Sequence, residues 1–185
     1  HLALNNRVVA VYAGNMGVAQ NAEIFVHLAM LLREDPRFGF LFIGRGSSAD
    51  SIRQLIAKEQ LNNALFFDEV DPEEIPSIYA QCNIGLLALD PRHKSHNIPG
   101  KFVSYLSCGL PVLARVNPNN DLISLIEQES VGVSYCGDSV EELRNTLLGL
   151  YEQVKNDQGM PVRCQQTFRN YFSSTAVAQQ IVNAL

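Results

Sequence analysis

In the run HNIPGKFVSYLSCGLPVLA, residues 96–114, a lysine directly follows Pro99 and Gly100. A rigid residue and then a permissive one mark a helix start where successive N–H groups can converge on an anion. Lys101 in that first turn faces the positive end of the helix dipole, a poor place for a cation unless an anion joins it. A lysine reaching out to solvent is the plain alternative. Two glycine-bearing loops could meet the same ligand. GNMGVAQN, residues 14–21, sets Gly14 and Gly17 where the backbone can turn tightly and approach a ligand, and GRG, residues 44–46, adds Arg45. The first loop lacks GxGxxG and GxxxxGK[ST], and Arg45 reads equally as anion-facing or as a solvated loop charge. His93 and His96 read first as polar loop residues. No set of His, Cys, Asp and Glu has metal-ligand spacing, and no Ser-His-Asp arrangement can be argued. The chemistry on offer is therefore anion binding by amides and a lysine.

The elements that must position these residues alternate along the chain. Apolar, β-branched runs at 8–14, 38–44, 64–70, 83–89, 111–116 and 131–135 read as strands. Helical periodicity fills 22–34, 48–60, 71–82, 101–109, 120–128 and 138–156, and two further helices follow the DQGMP break, at 162–172 and 174–185. Ser48 or Asp50, Asp71, and Asn120 or Asp121 are the candidate caps, with Pro72 at a first helical position. Ser104, Ser107 and Cys108 are small enough for close packing, Gly109 suits a left-handed stop, and Pro111 opens the next strand. Strands apolar on both faces and alternating with helices predict a doubly wound α/β fold with a six-stranded, mainly parallel sheet. Ligands of such sheets bind outside the carboxyl ends of the strands, where the three loops above lie. The expected division is 1–157 for this domain and 158–185 for carboxy-terminal helices packed on it or toward another domain.

Composition bounds the function. The 185 residues are 46% hydrophobic and 18% charged, with a net charge of −5, which argues for a globular domain and against a nucleic-acid partner. No run reaches the length of a membrane span and no signal peptide opens the chain. The start at His1 is read as a boundary within a longer protein. Cys82, Cys108, Cys136 and Cys164 have no paired spacing, so reduced thiols and a cytoplasmic location are expected.

YAGNMGVAQNAEIF, the stretch from FIGRG to LLAL, IPGKFVSYLSCGLPVLA and NPNNDLISLIEQESVGV resemble, in order, the carboxy-terminal half of GT-B glycosyltransferases. The likeness is to the retaining, family-4-like bacterial enzymes that build lipopolysaccharide, capsule and exopolysaccharide. It runs from about residue 7 to the last helix, and GNxGxAQ and PxKxxxYLxxGxPV are its most specific parts. The resemblance implies a nucleotide-sugar donor bound in this half and a saccharide or lipid-linked acceptor held by a separate amino-terminal half. It implies retention at the anomeric carbon, no obligatory metal or cofactor, and no direct membrane span, with peripheral association of the full protein at the inner face of the cytoplasmic membrane. Carried over by position, Gly14 and Gly17 would line the diphosphate through their amides, with Asn15 and Gln20 nearby. Val70 and Asp71 would border the base. Lys101 and the turn from Ile98 through Pro99 to Gly100 would meet the phosphates and sugar, and Asn119, Asn120 and Asp121 would lie near the donor.

Two departures stand out. Many relatives carry two glutamates, and the register places them at His96 and Ser104. Lys101 and His96 are thus the candidate catalytic residues, and Ser104 faces the ribose with one hydroxyl in place of a carboxylate. A deoxyribose donor such as a dTDP-sugar, a ribose held by other groups and a loss of activity all fit that change. The second departure is Asn15 and Gln20 or Asn21 where relatives carry Arg and Lys, so leaving-group stabilisation would fall on Lys101, with Arg45 and helix N-termini assisting. Phe168, Tyr171 and Phe172 are expected to expose an apolar patch toward the other half. Another GT-B enzyme, such as a nucleotide-sugar epimerase, and a non-catalytic flavodoxin-like binding module are the competing readings.

Overall fold

The computed structural model describes residues 4–89 and 98–184. Six strands form one sheet in the order β3-β2-β1-β4-β5-β6: β1 Val8–Ala13, β2 Phe38–Ile43, β3 Ala64–Phe67, β4 Ile84–Ala88, β5 Val112–Arg115 and β6 Gly132–Tyr135. Every neighbouring pair is parallel, as runs apolar on both faces require. The order reverses between β1 and β4, so the loops that leave these two strands open away from each other.

Helices fill the connections: α1 Glu23–Leu31, α2 Ala49–Lys58, α3 Ile75–Tyr79, α4 Gly100–Ser107, α5 Asp121–Glu129, α6 Val140–Asn156, α7 Met160–Tyr171 and α8 Ser174–Ala184. α1 packs beside α2 and α6, while α4 and α5 pack beside α7, which covers the two sheet faces as right-handed crossovers demand. Tyr12, Phe25, Phe38, Phe40, Phe42, Phe102 and Tyr105 are fully buried between these layers.

Local chemistry sets the boundaries. Asn120 caps α5 by accepting from the Leu122 N–H, and Ser139 caps α6 by accepting from the Glu142 N–H. Asp71 caps as expected, accepting from Glu73 N–H at 3.0 Å, but the helix anticipated over 71–82 is broken. A 3-10 turn at Pro72–Glu74 precedes a five-residue α3, because Pro76 has no N–H to return to the Pro72 carbonyl. Gly109 does stop α4 region with φ +77°. Cys82 and Cys164 are buried thiols, both pushed up to about 12 by burial. Cys108 is half-buried and Cys136 is exposed.

The aromatic residues of α7 do not form the exposed patch expected of them. Phe168 and Phe172 pack against the core, and the Phe172 ring meets Phe102 of α4 edge-on at 6.1 Å. Only Tyr171 is exposed, with its hydroxyl donating to Glu129 at 2.8 Å. α7 also exposes Val162, and α8 exposes Val177, Ile181 and Val182.

Candidate anion-binding cleft

β1 and β4 pair at Ala10–Ile84 and Val11–Gly85 and then part. The Tyr105 hydroxyl sits in the gap. It accepts from Ala13 N–H at 3.2 Å and lies 3.1 Å from both the Val11 and Leu86 carbonyls. One α4 side chain therefore satisfies the backbone of both strands where the sheet stops supplying partners, and fixes α4 against the carboxyl end of the sheet.

That fixes Lys101. Pro99 is the N-cap of α4, with ψ 137°, and Lys101 follows in the first turn. The residue is half-buried, yet its Nζ is buried and has no hydrogen-bond partner among the described residues. It lies 3.4 Å from the centroid of the Tyr12 ring. A Cβ placed on Gly14 would stand 3.7 and 3.8 Å from Lys101 Cε and Nζ, so the ammonium rests between β1 and its loop. Burial lowers its pKa from 10.5 to about 7. This is the reverse of a lysine reaching for solvent: the stem is wetter than the charge.

A cavity of about 470 Å³ opens over this ammonium, lined by Gly14, Asn15, Pro72, Ile75, Lys101 and Ser104 among others. A second, of about 400 Å³, shares Gly14, Asn15, Pro72 and Ile75 and extends to Ile43, Arg45, Glu69 and Val70. Together they make one cleft along the carboxyl ends of β1 to β4, with the first turn of α4 at one end.

The loop after β1 is held rigidly. Tyr12 hydroxyl donates to the Asn15 carbonyl at 2.8 Å, and Gln20 Oε1 accepts from Gly17 N–H at 3.0 Å and from Asn15 Nδ2 at 3.2 Å. The Gly14 N–H donates to the Ile43 carbonyl at 2.9 Å. The amides of Gly14 and Gly17 are thus already engaged within the protein, while Gly14 and Asn15 still line the cleft. The loop after β2 is pressed onto this one. Gly44 has φ +142°, and a Cβ there would fall 2.0 Å from the Gly14 carbonyl oxygen, so only glycine fits.

The remaining candidates divide. Val70 lines the second cavity, and Asp71 serves the cap described above. Arg45 pairs with Glu69 at 3.1 Å on the cleft rim. Ser104 lines the first cavity and donates its hydroxyl to the Gly100 carbonyl at 3.1 Å. Ile98 is exposed, and a Cβ on Gly100 would meet nothing within 4 Å. Asn120 is buried as the α5 cap, and neither it nor Asn119 nor Asp121 is among the cleft-lining residues. His93 and His96 lie outside the described residues. Among the described residues no group of three or more His, Cys, Asp or Glu could hold a metal ion, and no helix is long and apolar enough to cross a membrane.

Three residues of the cleft were not singled out by sequence. Tyr12 and Tyr105 sit in apolar runs, where nothing distinguishes them from core aromatics. Glu69 carried a weak signal, as the charged neighbour of Val70 at the end of a strand.

With this geometry in hand, comparison with known proteins gives a match of residues 7–153 to the family described as glycosyl transferases group 1. A Pseudomonas aeruginosa protein named for glycosyl transfer, WbjE, is 22% identical over 121 residues, 65% of this chain and 30% of its own length. An Escherichia coli (strain K12) protein named for glycosyl transfer in colanic acid biosynthesis, WcaI, is 23% identical over 141 residues, 75% of this chain and 34% of its own. The chain spans about a third of the length of these curated relatives. The crystal structure of Anabaena HepE with UDP and glucose shares the fold, with a TM-score of 0.76 and 19% identity over 99% of this chain and 49% of that one.

Proposed function

We propose that this chain, which belongs to the family of glycosyl transferases group 1, is the donor-binding half of a sugar-transferring enzyme and takes a nucleoside diphosphate sugar in its cleft. The observation that carries this reading is Lys101: a buried ammonium without a hydrogen-bond partner among the described residues, in the first turn of a helix, at the point where the strand order reverses. An unpartnered buried charge is costly, and a diphosphate is the partner it lacks. The N–H groups of the first turn of α4 would add to it. The size of the cleft and the solved complex of HepE with UDP and glucose support the same ligand class.

Transfer breaks the bond between the anomeric carbon and a phosphate oxygen, and negative charge gathers on the departing diphosphate. Lys101 and the α4 amides are aimed at that charge before it forms, so little reorganisation is needed. They supply the positive charge that a metal would otherwise bring, hence our proposal that none is obligatory. The acceptor, a saccharide or a lipid-linked one, would be presented by an amino-terminal half, and the sugar would be transferred with retention. The relative named for colanic acid biosynthesis favours a surface polysaccharide as the product, made in the cytoplasm with the full enzyme at the inner face of the membrane. This chain by itself should bind donor without turning it over.

Calorimetric titration with nucleoside mono- and diphosphates tests the reading. Diphosphates should bind at least tenfold more tightly than monophosphates, the worth of about one charged hydrogen bond. Equal binding of the two, or none, would refute it.

A further inference from the structure

The outer cavity of the cleft has apolar walls and one ion pair on its rim. Ile43, Val70, Pro72 and Ile75 contribute the walls of its roughly 400 Å³. Arg45, from the loop after β2, and Glu69, from the loop after β3, meet across the rim at 3.1 Å. Their side chains are 79% and 55% exposed, so the attraction between them is weak and either can turn to a ligand at small cost. Apolar walls with a few placed polar groups are how a pocket orients a flat ligand. A nucleobase would lay its face on the wall and turn its edge to the pair.

Resting on the donor reading above, we propose that the base of the donor is guanine, with Glu69 and Arg45 reading its edge. A carboxylate offers two acceptor oxygens side by side, and a guanidinium offers a fork of donors. Guanine matches both. Its N1–H and N2–H groups are adjacent donors for Glu69, and its O6 and N7 are adjacent acceptors for Arg45, the same pairing that arginine makes with guanine in duplex DNA. Uracil and thymine present one N–H between two carbonyls, so the second carboxylate oxygen would face an acceptor. Adenine and cytosine offer Glu69 one amino N–H and Arg45 one ring nitrogen, a single hydrogen bond to each member of the pair where guanine makes two. A site that leaves a polar group unmatched rejects the ligand that fails to match it. Exposure of the pair keeps the discrimination to about tenfold, far below that of a buried site.

The test is calorimetry with GDP, UDP, dTDP, ADP and CDP on the wild type and on Glu69→Gln and Arg45→Met. GDP should bind about tenfold more tightly than the others to the wild type, and each variant should bring it within about threefold of UDP by weakening GDP more than UDP. Unchanged melting temperatures would show that both variants fold. A different base ranking first, or a Glu69→Gln variant that weakens all five ligands equally, would overturn the guanine assignment and leave the donor reading standing. Failure of all five to bind the wild type would overturn both.

Discussion

The Lys101 ammonium stands 3.4 Å from the centroid of the Tyr12 ring, whose hydroxyl holds the Asn15 carbonyl at 2.8 Å. One tyrosine therefore touches both parts of the proposed anion site, the lysine of α4 and the loop after β1. The ring face attracts a cation by about 0.5–2 kcal/mol, and burial works against it more strongly, which leaves the group titrating near 7. Burial favours the neutral amine, and an arriving diphosphate would favour the charged one.

Replacing Lys101 by methionine separates binding from folding. Loss of a charged hydrogen bond of about 1.5–3 kcal/mol should weaken a nucleotide sugar about ten- to a hundredfold. The free protein should be as stable or more so, because an unpaired buried charge has gone. Titration calorimetry and thermal denaturation of the same sample check both halves; unchanged affinity would remove Lys101 from the site.

Two slopes of opposite sign follow from the lowered pKa of Lys101. Between about 7 and 10.5 the unfolded chain holds a proton on Lys101 that the folded chain does not, so this group makes stability rise with pH in that window and adds no slope below it. Donor affinity should fall over the same window, by up to tenfold per pH unit, because the charged form binds. Tyr12 and Tyr105, whose pKa values burial raises, stay neutral throughout. Denaturant titrations and calorimetry of a nucleotide sugar from pH 6 to 8, below the range in which Cys82 and Cys164 lose their protons in the unfolded chain alone, should show both slopes, and Lys101→Met should flatten both.

Among the described residues a Cβ on Gly100 meets nothing within 4 Å, so none of them requires glycine there. Gly100→Ala should stabilise the protein by about 0.4–1 kcal/mol through the unfolded chain. It should also weaken the nucleotide sugar by several-fold, as the methyl group would stand over the amides of the first turn. A variant that gains stability and keeps full affinity would move the phosphates elsewhere.

Tyr105→Phe removes the acceptor of the Ala13 N–H and the donor to the Val11 and Leu86 carbonyls. Leaving these buried groups unpaired should cost about 1–3 kcal/mol. For a chain of this length the melting temperature should drop by about 2–4 °C per kcal/mol, readable by calorimetric scanning.

The sheet was legible because six apolar runs each carry their strand signal locally, and reversal of the strand order follows from connection rules. Gly14 and Lys101 were legible because Gly-x-x-Gly and Pro-Gly-Lys are unusual at strand and helix ends. Tyr12 and Tyr105 were not, since their roles depend on partners far away in sequence: Tyr105 meets Ala13 across 92 positions. The length of α3 turned on Pro76 rather than on periodicity. The aromatic residues of α7 read as a surface patch because only the packing of α7 on α4 shows that Phe172 has a partner in Phe102.

Arg45 is flanked by two positions that admit no side chain. A Cβ at Gly44 would fall 2.0 Å from the Gly14 oxygen, and one at Gly46 would fall 2.7 Å from the Met16 carbonyl. The side chain between them is 79% exposed and pairs with Glu69. The bracket is immovable and its tip is exchangeable. If the base is read as proposed, selection could revise donor choice by a single codon at position 45, without disturbing the scaffold proposed to hold the phosphates.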